Sequence, residues 1–437
     1  MSISGFPEWL PEVRLIEEWV INTIKEVYIS HGFYSIDHSS VELLSSLEEN
    51  GIGGKEIFVL KRAQAHDEEE AKLALHFDLT IPFARYVAEN LSNLSFPLKR
   101  FSLQKVWRGE RPQRGRYREF YQFDIDIVAR ETLPLACDAE VVTVIEKAYR
   151  RLNLCDYEIR LNNRKILIGF YSNLGLSEEN SHKAIGIVDK IDKIGVDGVH
   201  HELKVDLALA TDVIEQIIAL SALRLPADSI DQLFNIINCN DDKFLAGISE
   251  LNEVIRLLPQ TTKNKVVIDG SLARGLGYYT GTILEVRLPA YPEFGSAGGG
   301  GRYDNLTARF TTQNLPAVGA SIGISRLIAL IIEKNLISPT KKSSAQLLVT
   351  VLNETDRPES NELADCFRSS GIPTEVFYKA PKLGKQIDYA DQKGIRFVAF
   401  LEKEKGTIQL KDLTRNVQEN FNSAEQASLW VKSCLAE

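Results

Sequence analysis

The sequence has few cysteines and no long apolar run, and each shortage excludes a class of protein. The five cysteines include no CxxC pair and lie far apart, at positions 137, 155, 239, 366 and 434. An odd number of scattered cysteines argues against a disulfide framework, so we expect the reducing environment of the cytoplasm. The longest apolar run has six residues, 327–332, against the about 18 that a membrane span needs. The first residues show neither a basic start nor an apolar core, so we expect no secretory signal.

Several motifs of metal and nucleophile chemistry are also absent. The pair His201–Glu202 is not followed by the second histidine of an HExxH motif, and the seven histidines form no Cys/His cluster. A zinc site held by protein ligands alone is therefore not expected. The sequence contains no GxSxG, and its four consecutive glycines, 298–301, lack the GK[ST] that completes a P-loop.

Acidic residues outnumber basic ones by 60 to 51, which gives a net charge of −9. This balance does not suggest a general nucleic-acid binder, but it leaves room for a local basic patch. Residues 99–118 form such a patch, with eight basic residues and one acid, Glu110. The turn residues 111–115 predict that a basic loop joins two antiparallel strands. Its arginines could bind phosphates, although a solvated hairpin would carry the same charges.

The length of 437 residues and the average composition predict two to four domains. Pro11 begins a helical pattern that Gly32 can end. Residues 164–258 have helical periodicity and are interpreted as an insertion into a catalytic domain made of 1–163 and 259–334.

A second domain is predicted over residues 345–437, after a polar linker at 335–344. Strand-like segments there alternate with helical segments that end at Gly371 and Gly394. This alternation is typical of βαβ units, so we expect a mostly parallel sheet.

Residues 118–128 form a strand-like segment with polar side chains on one face. Gln122 and Asp126 lie four residues apart on that face. A buried carboxylate needs a cationic or hydrogen-bonding partner, which a ligand amine or an imidazole N–H could supply. An internal salt bridge to a nearby arginine satisfies the same requirement, and spacing alone favours the salt bridge.

Three further segments combine glycine with arginine or tyrosine. They are SLARGLGYYTGT with Arg274, Tyr278 and Tyr279, GSAGGGGRY, and VGASIGISRL with Arg326. Glycine lets a backbone approach a ligand closely, and arginine holds phosphates. A pocket with arginines, tyrosines and a few carboxylates suits an anionic ligand together with a cationic one. Phosphoryl or nucleotidyl transfer fits this pattern, because positioned positive charge stabilises such transition states.

Taken in this order, the motifs resemble those of histidyl-tRNA synthetases, a family of class II aminoacyl-tRNA synthetases. WRGERPQRGRYREF looks like motif 2, ARGLGYYTG is similar to the histidine-specific motif, and AGGGGRYDNL with VGASIGISRL looks like the motif 3 region. The resemblance implies an α+β catalytic domain with a six- or seven-stranded antiparallel sheet flanked by helices, a helical insertion, and a C-terminal α/β anticodon-binding domain.

The resemblance also implies roles for individual residues. Those expected near histidine are Asp78, Leu79, Thr80, Gln122, Asp126, Tyr278 and Tyr279, with Asp126 facing the imidazole. Those expected at ATP are Arg108, Glu110, Arg116, Arg274 and Arg326, of which Arg108, Arg274 and Arg326 are catalytic. Arg111 and Gln113 are expected near the tRNA acceptor end. The implied partners are L-histidine, tRNA(His), ATP with Mg²⁺ and a second copy of the chain, without a prosthetic group.

Four positions depart from the family pattern. Ser39 stands where proline is usual and His76 where arginine is usual, while Gly277 stands where aspartate is usual and Ser325 where an acid is usual. Two alternatives follow: a synthetase-like regulatory subunit of ATP phosphoribosyltransferase, and a synthetase for another amino acid. The C-terminal domain and the retained arginines argue against the first, and Asp126 with the tyrosine pair argues against the second.

Overall fold

The computed structural model describes residues 3–48, 56–64, 72–230, 232, 237, 239–273, 278–338, 341–402 and 406–436. By their internal contacts the chain divides into two compact units. One consists of residues 1–8 and 20–336, and the other of residues 9–19 and 337–437. The domain boundaries predicted from the sequence stay a prediction.

A nine-stranded sheet is the scaffold of the first unit. Its strands, in spatial order, are β1 (Tyr34–Ser35), β5 (Leu98–Trp107), β6 (Glu119–Val128), β12 (Ala317–Gly323), β11 (Ser296–Tyr303), β10 (Thr282–Arg287), β7 (Glu158–Asn163), β9 (Val266–Asp269) and β8 (Arg224–Pro226). A separate three-stranded sheet contains β2 (Val41–Leu43), β4 (Leu73–Leu75) and β3 (Val59–Leu60).

The six central strands, from β5 to β7, are antiparallel, as the sequence predicts. The predicted total of six or seven strands is too low, because three short strands extend the sheet at its two ends: β1 pairs with β5 in parallel, β9 with β7 in parallel, and β8 with β9 in antiparallel. These edge strands have two to four residues. So short a segment shows almost no alternation, and its pairing depends on distant parts of the chain.

The helices of this unit flank the sheet. They are α1 (Pro11–Ser30, shared with the second unit), α2 (Leu44–Glu48), α3 (Thr80–Glu89), α4 (Leu135–Leu152), α5 (Arg164–Asn173), α6 (Glu178–Val188), α7 (Ile191–Asp206), α8 (Thr211–Ser221), α9 (Asp242–Leu257), α10 (Gln260–Lys263) and α11 (Ile324–Glu333). The predicted first helix is confirmed: it begins at Pro11, and Gly32 follows its end with a φ of +79°.

Residues 164–258 contain five of these helices, as predicted, and also β8, which pairs with β9 of the main sheet. Helices α5 and α9 pack closely where Gly169 of α5 faces Phe244 of α9. A Cβ on Gly169 would lie 2.3 Å from the backbone nitrogen of Phe244. The contact is therefore closed to any side chain at this position.

The second unit contains a five-stranded sheet of β14 (Thr374–Val376), β13 (Leu347–Val349), β15 (Phe397–Glu402), β16 (Thr407–Asp412) and β17 (Val417–Phe421). The first three strands are parallel and the last two antiparallel. Its helices are α12 (Arg357–Ser369), α13 (Leu383–Lys393) and α14 (Ala424–Ala436). The predicted ends of α12 and α13 are confirmed, with Gly371 and Gly394 at positive φ.

Gly169→Ala should destabilise the first unit. The added methyl meets backbone atoms that cannot turn away, so we expect a loss of about 1–3 kcal/mol in the free energy of unfolding. Gly186 in α6 is the matched control, since nothing lies within 4 Å of its Cβ position. Gly186→Ala should be neutral or stabilising by up to about 1 kcal/mol. Urea unfolding of both variants checks this, and equal stability would contradict the close packing.

Candidate active site

An open cleft lies on one face of the central sheet, over β6, β11 and β12. Its empty volume is about 1210 Å³ when the open solvent at the mouth is included. Among the predicted site residues, those that line it are Asp78, Thr80, Arg108, Glu110, Arg116, Gln122, Asp126, Tyr278, Tyr279 and Arg326.

Glycines keep the floor of the cleft open. Gly319 of β12 lies opposite Asp126 of β6, and a Cβ there would come within 1.9 Å of the Asp126 Oδ1. Gly301 of β11 has the same relation to Tyr279, whose ring carbon would lie 2.8 Å from an added Cβ. The glycine-rich segments thus make space for buried polar side chains on neighbouring elements.

Asp126 forms the internal salt bridge that the sequence left open. Its Oδ2 lies 2.7 Å from the Nη2 of Arg100, the residue directly opposite on β5. Its Oδ1 accepts a hydrogen bond of 2.5 Å from the hydroxyl of Tyr303. Burial raises the pKa of Asp126, and both partners oppose that rise. One oxygen of this carboxylate thus accepts a hydrogen bond, and the other lies in an ion pair but meets no hydrogen-bond donor of good geometry within the described residues.

Asp78 lies just before α3, and only one of its two carboxylate oxygens accepts a hydrogen bond from the described residues. Its Oδ1 accepts a hydrogen bond of 3.2 Å from the Ile81 N–H, while its buried Oδ2 meets no donor within the described part of the chain. Burial raises the pKa of Asp78 to about 6. Leu79, in contrast, does not line the cleft: its side chain is buried, and its carbonyl accepts from Arg100 at 3.1 Å.

Arg108 projects from the end of β5 toward the mouth. Its Nε donates to the Phe77 carbonyl at 2.9 Å, and its guanidinium carbon lies 5.3 Å from the centre of the Phe120 ring. No carboxylate of the described residues pairs with it. Arg116, which lines the same end, pairs with Glu110 at 3.0 Å.

Arg326, in the first turn of α11, spans the mouth of the cleft. It donates to the carbonyls of Gly115 and Ser296, which belong to the basic loop and to β11. Next to it, the Ser325 hydroxyl accepts from the Tyr121 N–H at 2.9 Å. The serine that replaces the usual acid thus ties α11 to β6.

Other predicted residues lie elsewhere. Arg111 and Gln113 are exposed on the loop and do not line the cleft. Arg274 and Gly277 lie outside the described residues. His76 is buried behind the cleft, where its Nε2 lies 2.7 Å from the Lys105 carbonyl, and Ser39 is an exposed residue whose hydroxyl donates to the Val41 carbonyl.

Three residues of this site belong to segments that the sequence marks as motifs, but the sequence predicts no role for them. Arg100 and Tyr303 hold Asp126, and Asp124 lines the cleft between Gln122 and Asp126. The period-two pattern of β6 could have indicated Asp124, since it shares the polar face. Nothing local indicates which of eight basic residues pairs with Asp126. No cluster that could hold a metal ion occurs in the described part of the chain, and none of the described helices is long and apolar enough for a membrane span.

The fold and this cleft define a class II aminoacyl-tRNA synthetase architecture. A family model described as "Histidyl-tRNA synthetase" matches residues 5–327, and one described as "Anticodon binding domain" matches residues 346–432. The histidine--tRNA ligase of Thermobifida fusca is 40% identical over 400 residues, which is 91% of each chain. That of Cutibacterium acnes is 38% identical, over 98% of this chain and 95% of its own.

A solved histidyl-tRNA synthetase from Nostoc sp. PCC 7120 superposes with a TM-score of 0.87. It is 32% identical and covers 99% of both chains. The chain belongs to the histidyl-tRNA synthetase family.

Asp124→Asn should change how stability depends on pH. Burial raises the pKa of Asp124 from its ordinary value of 3.8 to about 7, so between these values the folded protein holds a proton that the unfolded chain has released. Rising pH then lowers the free energy of unfolding, by up to about 1.4 kcal/mol per pH unit through this one group. The amide cannot titrate, so the variant loses this dependence.

Urea unfolding between pH 4 and 8 measures the effect. The free energy of unfolding of Asp124→Asn should rise relative to that of wild type as pH rises. The exposed control Asp197→Asn should differ from wild type by the same free energy at every pH. A constant difference for Asp124→Asn as well would contradict the raised pKa.

Proposed function

We propose that the cleft joins L-histidine to ATP and that the chain then transfers the histidyl group to tRNA(His). The observation that carries the proposal is the separation of charge within one cleft. Among the described residues, buried acceptors without a donor lie at its inner end and arginines at its mouth. A substrate with an ammonium group and a nucleotide with a triphosphate match these two ends.

The inner end suits the amino acid. Asp78 Oδ2 and Gln122 Oε1 are buried acceptors without a donor among the described residues, so the α-ammonium group would satisfy both. Thr80 and the rings of Tyr278 and Tyr279, whose centres are 4.8 Å apart, would close over the side chain. Asp126 would contribute to selecting the imidazole.

The mouth suits ATP. Arg108 would hold the α-phosphate, and Arg326 the terminal phosphates. Glu110 and Arg116 would contact the nucleotide, and Arg274 is proposed from its motif to reach the α-phosphate from the other side. Mg²⁺ would arrive with the ATP phosphates, and no protein cluster is required to bind it.

In this arrangement the histidine carboxylate attacks the α-phosphorus, and pyrophosphate leaves. The terminal ribose hydroxyl of tRNA then attacks the histidyl carbonyl and releases AMP. Arginine charge at the α-phosphate stabilises the negative charge that builds during the first step. Arg111 and Gln113 are exposed on the loop beside the mouth, which suits contact with the acceptor end of the tRNA.

The second unit offers a surface suited to single-stranded RNA. Tyr378 is 69% exposed and stacks on Phe377, with ring centres 4.9 Å apart. Three exposed lysines follow within seven residues, with no acid among them: Lys379, Lys382 and Lys385. The predicted domain 345–437 is itself slightly acidic, with 12 basic and 14 acidic residues. Stacking beside a local cluster of positive charge is the usual way to bind unpaired bases.

The regulatory-subunit alternative is less well supported. Arg108 and Arg326 are retained, and an anticodon-binding domain is present. A homodimer in the cytoplasm remains part of the proposal. ATP–pyrophosphate exchange with each of the twenty amino acids tests it: exchange with histidine alone supports it, and silence with all of them overturns it.

Arg108→Ala should lower the rate of histidyl-adenylate formation by roughly 10²–10³, the usual loss for one preorganised donor at a transition state. Lysine should restore little, because it lacks the planar fork. Arg114 is the control, since it is exposed on the same loop and pairs with Glu333 at 3.1 Å. Single-turnover adenylation measures the rates of Arg108→Ala, Arg108→Lys and the control Arg114→Ala. A rate for Arg108→Ala within a few-fold of wild type would refute the role.

Tyr378→Ala should weaken charging of tRNA without changing ATP–pyrophosphate exchange. Base stacking is worth about 1–3 kcal/mol, so kcat/KM for tRNA should fall by roughly 5- to 150-fold. Leu429→Ala, at another exposed apolar side chain of this unit (68% exposed), should leave both activities unchanged. If Tyr378→Ala charged tRNA as well as the control, the proposed RNA surface would be wrong.

A further inference from the structure

Arg164 contacts both ends of the segment 273–281, which carries the arginine-and-tyrosine motif. The Nη1 of Arg164 donates a hydrogen bond of 2.8 Å to the Ala273 carbonyl. Its backbone N–H donates to the Gly281 carbonyl, also at 2.8 Å. In the sequence, Arg274 directly follows the first of these contacts, and the tyrosine pair comes shortly before the second. One residue thus holds the chain on either side of the side chains proposed to act on the substrates.

The backbone of Arg164 is itself well fixed. Arg164 is the first residue of α5 and directly follows β7. Asn163 caps this helix, since its Oδ1 accepts a hydrogen bond of 2.9 Å from the Lys165 N–H. The side chain of Arg164 is buried, so packing within the protein sets the direction of its guanidinium. The junction of strand and helix therefore presents a long, buried donor in a defined direction.

The partners of this guanidinium are not those that a buried cation usually has. Among the described residues they are the Ala273 carbonyl and the ring of His182 in α6, whose Nδ1 lies 3.4 Å from the Nη2 of Arg164. Neither is a carboxylate. Burial lowers the pKa of Arg164, so the charged form is kept inside the protein at a cost in free energy. Well-packed apolar residues can replace buried charges without loss of stability, so packing alone does not explain an arginine here.

Other buried side chains hold the residues that lead up to this contact. Asp269 Oδ1 accepts from the Ser271 N–H at 2.8 Å and from the Leu272 N–H at 3.1 Å. The Asn162 amide donates to the Leu272 carbonyl at 3.0 Å. Arg164 adds the next contact along the chain, at the residue directly before the arginine of the motif. Its guanidinium is thus the last in a series of side chains that fix this stretch.

We propose that Arg164 is a positioning residue for the adenylation reaction, which holds both ends of the segment 273–281 so that Arg274 and the tyrosine pair meet the substrates in a productive arrangement. The proposal rests on the proposed function and deepens it. Arg164 is not among the residues that line the cleft, so it acts through this segment alone. A displacement of about 1 Å caused by a remote change can slow a reaction by roughly 10²-fold.

Arg164→Met tests the proposal, because methionine keeps an unbranched stem but offers no donor. With saturating histidine and ATP, single-turnover adenylation should slow by about 10- to 100-fold, the range for one charged hydrogen bond. The Kd of histidine, measured by calorimetry on the full chain, should rise by roughly 3- to 10-fold as the tyrosine pair loses its support. The Kd of ATP should stay close to the wild-type value, since Arg108 and Arg326 belong to other elements.

Two further variants separate a positioning role from a structural one. Lys165→Met is the matched control: it removes a charge from the same turn of α5, where Lys165 pairs with Glu250, and it should leave the rate and both dissociation constants near wild type. Arg164→Lys should be intermediate. Lysine carries its donors on one nitrogen and cannot span the carbonyl and the His182 ring together, so its adenylation rate should be roughly 3- to 10-fold below wild type.

A folded Arg164→Met variant with an adenylation rate near wild type would overturn the proposal. Equal losses in the binding of histidine and of ATP would overturn it too, because they indicate general disruption. If Arg164→Met does not fold, Arg164→Lys decides: a wild-type rate counts against the role, and a lower rate with an unchanged Kd of ATP supports it. Wild-type ATP–pyrophosphate exchange is measured in parallel. Silence with all twenty amino acids removes the proposed function itself, whereas normal exchange beside normal variants removes only the role of Arg164.

Discussion

The buried ion pair between Arg100 and Asp126 is the interaction on which the inner end of the cleft depends. It joins β5 to β6, and hydrogen bonds extend it to β11 through Tyr303 and to the start of α3 through Leu79. Removing one partner of such a pair leaves an uncompensated buried charge, which typically costs about 3–5 kcal/mol. The pair thus fixes the distances between four elements that supply site residues.

At the mouth of the cleft, backbone carbonyls orient the arginines. Arg108 and Arg326 are oriented largely by backbone carbonyls: Phe77 for the first, Gly115 and Ser296 for the second. A carbonyl fixes the direction of a guanidinium without neutralising its charge. A carboxylate partner, such as Glu110 at Arg116, does both. The contact with a carbonyl leaves the charge of Arg108 uncompensated, which supports the role proposed for this arginine at a phosphate.

Local patterns in the sequence predict the elements of this fold well and their partners poorly. The first helix, the polar face of β6 and the ends of α12 and α13 follow from spacing, proline and glycine. The nine-strand order and the pairing of β8 with β9 do not, because they depend on contacts between distant segments. The same limit applies within the site. The sequence allowed a salt bridge at Asp126 but could not select Arg100, since only the register of β5 against β6 does so.

A second buried network shows how the protein can hold a tyrosine pair in a glycine-rich loop. Arg302 donates to both oxygens of Asp138, at 3.2 and 2.6 Å, and to Asp304 at 3.2 Å. Asp304 in turn accepts from the Thr280 hydroxyl, the residue after Tyr278 and Tyr279. Glycine provides space for the rings but no restraint, and the polar contact of Thr280 with Asp304 restrains the chain directly after the pair. Asp126, the arginines at the mouth and the tyrosine pair are therefore anchored separately. An ion pair holds Asp126, backbone carbonyls contact the arginines, and the network of Arg302 lies next to the tyrosines.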